Sequence, residues 1–203
     1  MRSFWSEPFL WIHLAGLAAL PLFLELCWIG LAVGDPLLPV WLEVALVASV
    51  GIIPILWMQF SRPFNIFSIL VVAIKPEKLS PDQRRILSLL KSPVHQWIAS
   101  GVAVFMFWVL GQIYQAAPIA TGIAPFPSSW RLAGLLLAGF AFLASNLFLQ
   151  VPLAVFQVLF TSEAQFAATA AYPVEKIAQD FTIPGLQVDQ ILPLETTNPE
   201  TLA

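Results

Sequence analysis

The sequence predicts an all-α, polytopic membrane fold with four transmembrane helices, on three observations. Of 203 residues, 59% are hydrophobic and only 10% are charged, against roughly 25% charged in an average soluble domain. The mean hydropathy is +0.82. The apolar residues also gather into four runs, each long enough for a bilayer core that needs about 20 helical residues. Charge this sparse cannot cover a water-soluble fold, yet it suffices where most of the surface meets acyl chains. A soluble protein is excluded, and four spans leave no room for a large extramembrane catalytic domain.

The first span is residues 8–33, "PFLWIHLAGLAALPLFLELCWIGLAV", with Trp5 and Trp11 placed for an aromatic belt. Ala32-Val33-Gly34 would suit signal cleavage. The apolar run is far longer than a signal core of about 7–15 residues and contains Glu25, so a retained span is expected. After "GDPLLP", residues 37–60 form a second span with a kink expected at Pro54, making a helical hairpin with the first. Residues 94–116 make the third span and residues 130–160 a long fourth, free to tilt or bend at Pro152.

The connection over residues 61–93 carries an apolar stretch, 64–74, too short to cross and read as lying in the interface. Ser80-Pro81-Asp82-Gln83 then reads as an N-cap, a proline at the first helical position and a capping-box glutamine. A short amphipathic helix follows, with Ile86, Leu87, Leu89 and Leu90 apolar, ending at Pro93. Six of the nine basic residues (Arg62, Lys75, Lys78, Arg84, Arg85 and Lys91) fall in this connection and none in the other two. The positive-inside rule makes it cytoplasmic, with both termini on the same side, as Arg2 and Lys176 agree. Arg131 is the exception, on the far side, where its long side chain would snorkel. Residues 161–203 hold six acids against one lysine and read as an extended or disordered tail, although "FTIPGLQVDQILPL" keeps enough apolar residues to dock. Its charge opposes that of the connection, which suggests an arm covering the basic loop or binding a partner.

No catalytic residue is predicted. There is no Walker loop, HExxH, GxSxG or dinucleotide fingerprint, and the single cysteine, Cys27, reads as a buried hydrophobe, so neither enzyme nor metal site is expected. His13 and His95 are candidate pigment or proton ligands, against simple bonding to water and headgroups at the span ends. Asn146, Gln150 and Gln157 share one helical stripe, either lining a polar path or bonding neighbouring helices. Glu25 and Glu43 flank the "GDP" turn ten and eight residues from Asp35, so they are expected at one depth, with Arg131 within reach. At that depth each is expected to face the bundle interior, a partner or water. The basic residues of the connection would contact either anionic lipid or a protein partner. Nucleic acid is not an expected partner, because Glu77 and Asp82 dilute the charge.

The stretch "MRSFWSEPFLWIHLAGLAALPLFLELCWIGLAVGDPLLPVWLE" closely resembles a family of cyanobacterial multipass proteins, the low-complexity tail membrane proteins. The similarity continues through "FNIFSILVVAIKPEKLSPDQRRILSLLKSPVHQW" and so covers most of residues 1–97. The resemblance implies a cyanobacterial source, a thylakoid or plasma membrane location, and no assigned activity. The family name implies a biased C-terminal tail, whereas "LPLETTNPETLA" is short and only mildly biased. The expected function is a non-enzymatic subunit or assembly factor of a membrane complex, among lipids and other membrane-protein subunits. The alternative is a small oligomeric transporter or a proton- or ion-conducting channel. No cofactor is predicted, and the histidines leave chlorophyll or carotenoid binding open.

Overall fold

The computed structural model describes residues 3–69 and 71–192. Arg2, Glu195, Glu200 and the rest of the biased C-terminal end therefore lie outside the described residues. Among the described residues, four helical stretches are long and apolar enough to cross a membrane: Pro8–Leu31, Val40–Ser61, Pro93–Ile123 and Arg131–Phe160.

The first stretch is not one continuous α-helix. It runs as α1 (Pro8–Ala15), a 3-10 segment (Gly16–Ala19) and α2 (Leu20–Leu31). Pro21 lacks an N–H, and its ring crowds the carbonyl one turn back, so the chain tightens ahead of it. After the turn comes α3 (Val40–Ser61), which starts three residues later than expected. Residues 36–39 include two prolines and stay outside the helix instead. Pro54 lies within α3, on its exposed side.

The connection corrects the all-α expectation. The 64–74 stretch folds as a hairpin of β1 (Ser68–Ile69) and β2 (Val72–Ile74), with Ser68 opposite Ala73. Its β-branched and aromatic residues suit a pleat, and Ile66, Phe67, Ala73 and Ile74 are buried. The predicted amphipathic helix is α4 (Pro81–Leu90), with its capping box formed: Gln83 N donates to Ser80 Oγ (3.2 Å) and Ser80 N to Gln83 Oε1 (3.0 Å). Its apolar face is covered by the chain itself, since Ile86, Leu87 and Leu90 are buried.

Next follow α5 (Pro93–Ala116), extended by a 3-10 segment to Ile123, and α6 (Arg131–Phe160). At 30 residues α6 is about 45 Å long. That exceeds a hydrocarbon core of about 30 Å. The surplus projects past the bundle, and Val151, Ala154, Val155, Val158 and Leu159 join the core of the connection.

The described part of the tail, residues 161–192, is folded rather than extended. It contains α7 (Glu163–Ala168), α8 (Val174–Asp180) and β3 (Leu186–Val188), which pairs parallel to β2 with Val72 opposite Leu186. Phe166, Ile177 and Phe181 are buried among Phe4, Phe67, Leu79, Ile86 and Leu90. Connection and tail thus build one cap on the end of the bundle. Gly185 needs its φ of +65°, because a Cβ there would lie 1.9 Å from the Val71 carbonyl oxygen.

The spans close on small residues. A Cβ on Gly134 would fall 2.5 Å from Gly30 O, and one on Gly51 2.4 Å from the Phe142 ring. Tryptophans point outward near both ends: Trp41 and Trp130 beside the turn, Trp57 and Trp97 beside the cap. Such belts suit membrane interfaces. The tight seam gives a direct prediction. Gly134→Ala should destabilise the detergent-solubilised protein by roughly 1–3 kcal/mol through overpacking. Gly111→Ala, with nothing within 4 Å, should leave thermal stability unchanged or slightly raised. Equal effects of the two would mean that the α2–α6 seam is not closely packed.

Candidate functional site: two polar centres and an outward carboxylate

At the turn end, one buried residue ties four helices together. Arg131 opens α6, Glu43 lies in the first turn of α3, Tyr114 is near the end of α5, and Leu31 ends α2. Arg131 and Glu43 are 3% and 0% exposed and form an ion pair through Arg131 Nη2 and Glu43 Oε2. Arg131 Nε donates to Glu43 Oε1 (3.4 Å), Nη1 to the Leu31 and Val33 carbonyls (2.5 and 3.0 Å), and Nη2 also to Tyr114 Oη (3.3 Å). All five guanidinium N–H groups have acceptors. Glu43 in turn accepts from Tyr114 Oη (2.7 Å) and from the Leu37 and Leu38 amides (2.9 and 3.4 Å).

Local structure explains the placement. Glu43 sits at the positive end of the α3 dipole, and Arg131 faces carbonyls that end α2, so each charge meets a favourable helix end. Gly34, at φ +62°, makes the turn that presents the Val33 carbonyl; a Cβ there would lie 2.0 Å from Ser128 O. Arg131 therefore does not snorkel, as expected of it, but is fully enclosed.

Glu25 and Glu43 do not share a depth. Because α3 starts at Val40, Glu43 is only one turn inside its helix, whereas Glu25 is well within α2. Gly30 meets Gly134 and Ala138, and Phe23 stacks on Phe148 (5.3 Å), so Glu25 falls level with the region of Leu143, near the midpoint of α6. It is exposed on the outer surface of the bundle between Leu22 and Leu26 and has no hydrogen-bond or ion-pair partner among the described residues.

The second polar centre lies at the cap end. His95, 3% exposed, is not at a wet span end but inside the bundle, with its Nε2 3.1 Å from Gln59 Oε1. Gln59 on α3 gave no signal in the sequence beyond being an amide near a span end. Asn146 and Gln150 are 0% and 2% exposed on the α6 stripe that faces α3. Of this stripe, only Gln157 bonds another helix segment, Nε2 donating to Ser92 Oγ (3.3 Å); Asn146 donates to its own helix at Phe142 O (2.9 Å). His13 stands apart from both centres. Its Nδ1 is 2.8 Å from Phe9 O, its ring packs edge-on against Phe64, and it lines an apolar cleft of about 420 Å³ with Ile12, Gly16, Phe148, Val151 and Pro152.

The basic residues of the connection are engaged mostly by the tail. Arg62 donates to the Ala178 and Phe181 carbonyls, Lys75 pairs with Asp189 (2.8 Å), Arg84 reaches Tyr172 O, and Lys91 donates to Ser61 O and Asp180 O. Arg85 pairs locally with Asp82, and Lys78 stays exposed. The Lys75 ammonium holds the Asp189 carboxyl below the usual carboxylate range. Burial, then the Asp180 carboxylate, push the Tyr172 phenol up to about 12, so it stays a donor to Asp180 (2.5 Å). Cys27 is buried, and no group of three or more His, Cys, Asp or Glu that could hold a metal is present among the described residues.

Fold and polar centres together define a four-helix integral membrane protein whose connection and tail fold into a cap at one end. A family model described as low-complexity tail membrane protein-like matches residues 6–193, and the chain belongs to that family. No curated protein and no solved structure matches the chain.

The ion pair yields a prediction in which sign matters. Glu43→Met alone should cost about 3–5 kcal/mol, because it leaves a buried guanidinium uncompensated. The Glu43→Met/Arg131→Met double variant should lose less than the sum of its two single changes. Thermal unfolding in detergent measures this, and strictly additive losses would show that the two residues do not act as a pair.

Proposed function

We propose that the protein is a non-enzymatic subunit or assembly factor of a membrane complex in a cyanobacterial thylakoid or plasma membrane, with the cap and both termini in the cytoplasm. The observation that supports it is Glu25. An ionised side chain at mid-bilayer costs about 3 kcal/mol, and such residues almost always face protein or water. The chain's own basic and polar groups leave Glu25 bare. A partner helix offering a basic side chain or a hydroxyl would satisfy it, with Leu22 and Leu26, 62% and 38% exposed, packing alongside. The transport reading draws on the polar stripe of α6. That stripe stops at Asn146, and Val47, Phe142, Met106 and Leu110 fill the space between it and Glu43, which favours the partner reading.

A photo-reactive residue at Leu22 tests the proposal in native membranes, with Val104, exposed on α5, as the control position. The expected result is a discrete protein adduct from position 22 that weakens with Glu25→Leu and is absent from position 104. Lipid adducts alone at both positions would rule the partner out.

The orientation is supported by the six-to-none distribution of basic residues between the connection and the other two. With Cys27 replaced, single cysteines at Ser80 and Asp35, both exposed, should react with an impermeant thiol reagent from opposite sides of the membrane. Labelling from one side would overturn the topology.

A further inference from the structure

Beneath the cap, four buried side chains from three helices end in polar atoms without partners. They are Gln59 Nε2, His95 Nδ1, Asn146 Oδ1, and both Nε2 and Oε1 of Gln150. None of the four residues is more than 3% exposed. Helix register places them together. Helices α3 and α6 run parallel, with Glu43 against Arg131, Val50 against Gly139 and Gly51 against Phe142, so Gln59 falls level with Gln150. Asn146 lies one turn deeper on the same stripe, and His95 joins from α5 through its contact with Gln59.

A buried polar atom left unpaired is destabilising, because it has given up water and gained no partner. Five within about one helical turn is more than a stable bundle tolerates, so something supplies their hydrogen bonds. We propose that this layer is a water-binding inlet, filled from the cap end and closed toward the turn end. The groups fit water rather than an ion. Whichever way the Gln59 amide is turned, the Gln59–His95 pair leaves one donor and one acceptor open. Gln150 adds one of each, and Asn146 adds an acceptor. No Asp, Glu, Lys or Arg belongs to the layer, and water, which both donates and accepts, matches such a set.

Outward of the layer, on the same face of α6, there is an opening. A cleft of about 250 Å³ lined by Ser92, Val94, Gln157, Thr161 and Gln165 opens at the cap end. Gln157 bonds Ser92 there and keeps its own Oε1 unpartnered. It lies two turns outward from Gln150 on the same stripe. On the inner side Phe142 and Met106, 0% and 1% exposed, end the polar path.

Hydroxyl-radical footprinting of the unmodified protein in phosphatidylcholine vesicles tests this, because radiolysis of bound water oxidises only side chains beside it. His95 should be oxidised faster than Met106, although a thioether is intrinsically the more reactive group. In the Asn146→Leu/Gln150→Leu variant, His95 oxidation should fall several-fold. Protection of His95 equal to or greater than that of Met106 in the unmodified protein would overturn the proposal and mean that these side chains pair with one another in a dry layer. That comparison stands even if the double variant does not fold.

Discussion

The buried guanidinium of Arg131 is the constraint on which the arrangement of the spans depends. A cation enclosed in an apolar bundle is tolerable only when every N–H has an acceptor. Here the acceptors come from Glu43, Tyr114 and two backbone carbonyls at the end of α2. Moving any one helix along its axis by even part of a turn would break at least one of these bonds. The pair contributes little net free energy by itself, since desolvation offsets much of the attraction. What it sets is register: α2, α3, α5 and α6 are fixed at one level, and the glycine contacts farther along follow from that alignment.

The opposite end is held by different physics. Lipid gives no hydrophobic drive between spans, whereas the cap has a hydrophobic core of its own, in which Phe67, Leu87, Phe166 and Phe181 are buried. The ion pairs that join connection to tail are exposed and each is weak, at about 0–1 kcal/mol. Their effect is to choose which surfaces meet, while the apolar residues hold them. The molecule is thus pinned by polar bonds at one end and by a hydrophobic core at the other.

Much of this was legible from composition and pattern. Four spans, the capping box at Ser80, and the opposition of charge between connection and tail all follow from local rules, and each reappears in the structure. What local rules missed was tertiary. Residues 64–74 are too short to span and apolar enough for an interface, and it is the pairing of β1 with β2, and of β2 with Leu186–Val188, that makes them strands. Glu25 and Glu43 are nearly equidistant from Asp35 along the chain, but Pro36 and Pro39 hold residues 36–39 out of the helix and leave Glu43 in the first turn of α3, near the turn end of the bundle. The polar stripe of α6 was visible as a spacing. That Gln59 and His95 complete it was not, because they lie on other helices.

The parallel pairing of β2 with β3 has a consequence for biosynthesis. The hairpin emerges from the ribosome long before residues 186–188 exist, with two further spans to be made in between. Throughout that interval Phe67, Ile74, Ile86 and Leu87 lack the α6 end and the tail that finally cover them. Chains generally fold in the order of their synthesis, and here the earlier segment must wait. Its basic residues wait as well, because Arg62, Lys75, Arg84 and Lys91 take acceptors from the tail. The acidic tail arrives last and supplies them. The cap can therefore be completed only after all four spans have been made.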